Sequence, residues 1–124
     1  MGKGKALVAD GDPGFADLLS TRLTEMGFET ATAVDGNEAL RWVRRERPQL
    51  VVADESLAGI DGFKLCRLLK FDKPHANVTI VLLSTAITDE NSQLAEIVHA
   101  NFYLPKQPDH PDLLAIAQDT LPKE

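Results

Sequence analysis

Leu50, Val51, Val52 and Ala53 follow one another with no polar interruption, after a helix-stopping Pro48, and end on Asp54. A short apolar run that does not alternate describes a strand covered on both faces, as in a parallel sheet. In open α/β sheets the ligand crevice lies just outside the carboxyl ends of the strands. Asp54 and the loop Glu55–Asp61 stand at such an end. A lone carboxylate there reads as a solvated loop residue more readily than as chemistry, so its company decides.

The same grammar recurs along the chain. Lys5–Asp10 is an apolar run ending in acid, and Asp12-Pro13 suits an N-cap with Pro at the first helical position. Phe15, Leu18, Leu19, Leu23 and Met26 recur at helical spacing, and Gly27 closes that helix. Phe28–Val34 reads as a second strand. Asp35 with Glu38 three residues on suggests a capping box, and the helix runs to Arg47. Beyond the central strand, Phe63, Leu65, Cys66, Leu68 and Leu69 predict a helix starting near Asp61. Val78–Leu83 predicts a strand reaching Ser84-Thr85. Thr88 caps a helix carrying Leu94, Ile97 and Val98, Asn101–Leu104 is a last strand, and Leu113, Leu114, Ala117 and Leu121 mark a last helix. Strands alternating with helices imply right-handed crossovers onto a parallel sheet, hence a single doubly wound α/β domain over residues 1–124.

The 124 residues carry a formal net charge of -6, which speaks against direct nucleic-acid binding, since a phosphate backbone calls for a basic face. The one basic cluster, Arg44–Pro48, reads as a dipole-favoured helix end. Cys66 is the sole cysteine, so no disulfide framework exists, and a reducing, cytoplasmic setting is expected. The N-terminal apolar run is too short for a signal peptide or membrane span, and Ala6 stands where myristoylation requires Ser or Thr. His75, His99 and His110 fall on different elements and predict no metal cluster. Cys66 and Phe102 read as core, and Trp42 as half-exposed packing. No glycine-rich phosphate loop follows the first strand to support a hydrolase or flavin-type nucleotide site.

The βα order brings Asp10 with Asp12, Asp54, Ser84-Thr85 and Lys106 to one edge of the sheet. Crowded carboxylates repel unless a cation relieves them, and oxygen-only ligands suit a hard ion such as Mg²⁺. A carboxylate so placed can act as nucleophile on a phosphoryl group, with Lys106 and the Ser84 hydroxyl on the phosphoryl oxygens.

With LVADGDP (Leu7–Pro13), PQLVVADESLAGIDGF (Pro48–Phe63), IVLLSTA (Ile80–Ala86) and YLPK (Tyr103–Lys106) in this order, the chain resembles the CheY-like receiver domains of response regulators over essentially its whole length. The resemblance implies a flavodoxin-like strand order 2-1-3-4-5. It makes Asp54 the phosphoacceptor, Asp10 an acidic-pocket residue, Ser84 the switch hydroxyl, Tyr103 the switch aromatic and Lys106 the phosphate-sensing lysine. The Mg²⁺ ligands would be Asp10, Asp54, the backbone carbonyl of Ser56 and, as a substitute acid, Asp12. A sensor histidine kinase or phosphotransfer protein would donate the phosphate. Ser84 and Tyr103 would then move inward, remodelling the face of the fourth helix, fifth strand and fifth helix toward a protein partner or a homodimer. Such a chain is a signalling domain, not an enzyme beyond phosphotransfer to itself and autodephosphorylation.

Three positions, Gly11, Thr85 and Gln107, depart from the family pattern, and Glu55 adds charge. Gly11 replaces the second of two adjacent acids, which should weaken Mg²⁺ binding, and Asp12 reads equally well as a plain helix cap. Gln107 replaces the Pro after the lysine; a cis bond there would cost about 2.5–4 kcal/mol, so a trans bond with a shifted loop is expected. Thr85 narrows access to Asp54, and Glu55 adds negative charge beside it. Together they imply slower phosphorylation, weaker metal binding, or the alternative of a pseudo-receiver, a phosphorylation-independent interaction module.

Overall fold

The computed structural model describes residues 4–123. The elements run β1 (Lys5–Ala9), α1 (Pro13–Met26), β2 (Glu29–Ala33), α2 (Gly36–Glu46), β3 (Leu50–Asp54), α3 (Gly62–Lys70), a 3₁₀ turn (Lys73–His75), β4 (Thr79–Ser84), α4 (Asp89–Ile97), β5 (Phe102–Pro105) and α5 (Pro111–Thr120). All strand pairs are parallel and the order is β2-β1-β3-β4-β5, as expected from the resemblance.

The uninterrupted apolar runs resolve into two alternating faces, because successive strand side chains point to opposite sides. Leu7, Ala9, Val51, Ala53, Ile80 and Leu82 pack on one side beneath Val43, Leu65, Cys66, Leu69, Ala95 and Val98 of α2, α3 and the α4 end. Ala6, Val8, Leu50, Val52, Val81 and Leu83 pack on the other against Leu19 and Leu23 of α1 and Leu113 and Ala117 of α5. Burying one such aliphatic side chain contributes about 1.5–3 kcal/mol, so both faces hold the strand tips in place.

Local chemistry sets the helix ends. Asp12 Oδ1 accepts the N–H groups of Gly14 (3.0 Å) and Phe15 (3.3 Å), and Gly27 ends α1 in the left-handed region at φ 115°. Asp35, Asp61 and Thr88 cap α2, α3 and α4. The Glu38 carboxylate accepts from Val34 N–H instead of the cap residue's own, a capping box displaced by one residue.

One sequence expectation is corrected here. Phe102 is not core: it lies on edge strand β5, which has a strand neighbour on one side only, and is 43% exposed. Leu18 lies in α1 as its spacing predicts, and because the buried stripe of that helix is Ala16, Leu19 and Leu23, its side chain faces outward. Cys66 is buried and Trp42 half-buried against the core, as read from the sequence. No cis peptide bond occurs among the described residues, so Lys106-Gln107 is trans as expected.

Candidate functional site at the carboxyl edge of the sheet

Three strand ends build the charged half of the site. Asp10 follows β1; its N–H donates to Ala33 O at 2.9 Å, and its Oδ1 accepts Asp12 N–H at 2.8 Å. Asp54 closes β3, with Oδ1 accepting Ser56 N–H at 3.1 Å. Lys106 follows β5 and is tied to β4 by its own N–H, which donates to Ser84 O at 2.8 Å. Its ammonium then lies 3.0 Å from Asp10 Oδ1, 2.8 Å from Asp10 Oδ2 and 3.2 Å from Asp54 Oδ2. The Phe15 ring covers the same ammonium at 4.9 Å, a cation–π contact that its core-like spacing did not announce.

Burial works against the Lys106 ammonium, but hydrogen bonds to the carboxylates of Asp10 and Asp54 outweigh it and leave its pKa above the ordinary lysine value. The side chain of Asp10 is 2% exposed, that of Lys106 12% and that of Asp54 18%, so only Asp54 offers a carboxylate to an incoming reactant. Asp10 Oδ2 touches the ammonium but receives no directed hydrogen bond, which leaves a buried carboxylate oxygen under-satisfied. The loop beyond Asp54 folds back tightly: Gly62 N–H donates to Glu55 O at 3.0 Å, and a Cβ on Gly62 would sit 2.6 Å from Asp54 O. Only glycine permits that approach.

The second half of the site is built around Glu55. Its Oε2 accepts the Ser84 hydroxyl at 2.6 Å and its Oε1 accepts the Tyr103 hydroxyl at 2.5 Å. Ser84 Oγ in turn accepts Ala86 N–H at 3.0 Å. Tyr103 is half-buried against the core and tilted over Phe63 at 6.2 Å, and burial followed by the Glu55 hydrogen bond raises its pKa. The sequence flagged Glu55 only as extra charge. Adjacent residues at a strand end face opposite sides, so a sign could have been read there, but the identity of its two donors could not.

Asp12 is engaged as the α1 cap, which leaves at most its second oxygen for other work. Ser56 and Thr85 are exposed in the loops flanking Asp54. A Cβ at Gly11 would meet only Val34 O at 3.5 Å, so the space for a second acid is open. Among the described residues no three His, Cys, Asp or Glu side chains converge as a metal cage.

A family model for the response regulator receiver domain matches residues 6–118. The chain belongs to the response-regulator receiver family. The receiver is 45% identical over 85 residues to the DNA-binding response regulator MtrA of Mycolicibacterium smegmatis, covering 68% of this chain and 36% of that protein. It is 36% identical over 94 residues to the probable transcriptional regulator ycf27 of Porphyridium aerugineum, covering 76% of the chain and 38% of the relative. The receiver therefore spans little more than a third of these relatives. Its fold is similar to that of the chemotaxis response regulator CheY4 of Vibrio cholerae, with TM-score 0.84, 26% identity, and 94% and 98% of the two chains covered.

Proposed function

We propose that this receiver domain of a two-component system takes a phosphoryl group on Asp54 from a partner histidine kinase or phosphotransfer protein. The observation that carries the reading is the single ammonium of Lys106 shared between buried Asp10 and partly exposed Asp54. An Asp54 carboxylate oxygen attacks the phosphorus of a phosphohistidine. The P–N bond breaks, the imidazole nitrogen leaves with the electron pair and gains a proton, and Asp54 becomes an acyl phosphate. Lys106 follows the new charge onto the phosphoryl oxygens, and water later returns the carboxylate and free phosphate. Phosphoryl transfer of this kind is mostly positioning and charge neutralisation.

The donor set fits a hard divalent ion: two carboxylates face one ammonium, and one oxygen of Asp10 lacks a directed hydrogen bond. Asp10 and Asp54, with the Ser56 carbonyl, would hold Mg²⁺, which would supply charge neutralisation at phosphoryl oxygens. Asp12, the expected substitute acid, serves as the α1 cap and, among the described residues, does not converge with them as a third acid. Incubation with a small acyl-phosphate donor and Mg²⁺, followed by intact-mass measurement, tests the reading. One added phosphoryl group is the expected result. None would leave the pseudo-receiver, an interaction module that works without phosphate.

Output would pass through α4, β5 and α5, where Ile97 (68% exposed) and Phe102 stand in solvent, to a protein partner or a second copy. Sedimentation with and without beryllofluoride distinguishes these. Residues 1–124 would act as one unit without direct nucleic-acid contact, supported by the charge of -6, and in the cytoplasm. No helix among the described residues is long and apolar enough to cross a membrane.

A further inference from the structure

We propose that Glu55 is a latch which holds Ser84 and Tyr103 in the unphosphorylated arrangement and competes with a phosphoryl group on Asp54 for the Ser84 proton. The inference rests on the reading of Asp54 as phosphoacceptor.

A serine hydroxyl has one proton to donate, and so has a tyrosine hydroxyl. Ser84 spends its proton on Glu55 Oε2 at 2.6 Å, and Tyr103 spends its own on Glu55 Oε1 at 2.5 Å. The remaining Ser84 capacity is acceptor capacity, part of which Ala86 N–H already uses. Ser84 therefore cannot donate to a phosphoryl oxygen while it donates to Glu55. The two acceptors belong to adjacent residues, so a phosphoryl group on Asp54 also brings negative charge toward the Glu55 carboxylate. Taking Ser84 away leaves Tyr103 as the sole hydroxyl on that carboxylate. The positions of Ser84 and Tyr103 are thus coupled through the one carboxylate that both hydroxyls donate to.

Glu55 is a positioning residue here: it acts through Ser84 and Tyr103. Its effect is separable from plain repulsion by a double-mutant cycle. Beryllofluoride with Mg²⁺, a mimic of the phosphoryl group, is titrated into the wild-type chain, Glu55→Ala, Ser84→Ala and the double variant. Glu55→Ala is expected to bind about tenfold more tightly than wild type, equivalent to about 1.4 kcal/mol. In the Ser84→Ala background the same change is expected to give little gain, because the competition it relieves is gone. An equal gain in both backgrounds would mean that Glu55 acts by charge alone and would overturn the latch. Wild-type binding with no gain in Glu55→Ala would overturn it as well, while leaving the phosphoacceptor reading intact.

A second readout needs no phosphoryl mimic. Tyr103 is the single tyrosine, so its ring signals are unambiguous by NMR. Glu55→Ala alone is expected to shift them. Unmoved ring signals in that variant overturn the latch, whereas absence of beryllofluoride binding in all four proteins, with shifted ring signals, overturns the phosphoacceptor reading and with it the competition, leaving only the hold of Glu55 on Tyr103.

Discussion

The two halves of the receiver site invert each other's chemistry. On one side a single cation, Lys106, is shared by two carboxylates; on the other a single carboxylate, Glu55, is shared by two neutral hydroxyls. The first half is an ion cluster whose loss of one member leaves buried charge uncompensated. The second is a pair of short, charge-assisted hydrogen bonds from neutral hydroxyls, each of which can be exchanged for water or another acceptor without leaving a buried charge unpaired. A switch needs both kinds: a charged anchor that stays assembled, and a hydroxyl pair that can change partner at low cost.

The largest expected difference between the halves is in stability. Lys106→Met should destabilise the fold by about 3 kcal/mol, toward the lower end for breaking a buried pair because Asp54 is partly solvated. Denaturant unfolding in the absence of divalent ions reads this directly, and a loss no larger than that of Tyr103→Phe would erase the contrast.

Metal affinity sharpens the comparison next. Gly11→Asp adds a carboxylate where the backbone leaves room, and should tighten Mg²⁺ about tenfold, or about 1.4 kcal/mol. An unchanged Mg²⁺ titration would mean that the charged half does not take the ion where the donor set suggests.

Tyr103→Phe removes one hydroxyl from Glu55 and should cost about 1 kcal/mol in the same unfolding experiment.

Cys66 lies outside both halves and sets the baseline, with no expected effect near neutral pH. Burial pushes its thiol from the ordinary 9.0 up to about 12. The unfolded chain therefore loses this proton near pH 9 while the folded chain keeps it. The contribution is constant below pH 9, and stability falls as pH rises from there toward 12. An alkylating reagent should leave the native thiol untouched at neutral pH, and rapid native labelling would contradict its burial.

How much of this was legible from residues depends on the kind of interaction. The fold was readable because β1, β3 and β4 carry uninterrupted apolar runs between helices whose ends are marked by residues such as Asp12-Pro13 and Gly27. The charged half was readable too, since the order of strands fixes which tips meet, and Asp10, Asp54 and Lys106 do meet. What sequence could not give was the destination of a flexible side chain. Glu55 reaches Ser84, 29 residues on, and Tyr103, 48 residues on, and neither spacing has a periodicity to announce it. Phe102 failed for a related reason: its residue type argues for burial, and only its place on the sheet edge argues against.

The most direct test of the central claim locates the modification itself. The chain is treated with a small acyl-phosphate donor and Mg²⁺, reduced with borohydride, which converts an aspartyl phosphate to the corresponding alcohol, and mapped by peptide mass. Reduction confined to Asp54, and absent in Asp54→Asn, is the expected outcome. Reduction at Asp10 or Asp12 instead, or the same yield in Asp54→Asn, would contradict it.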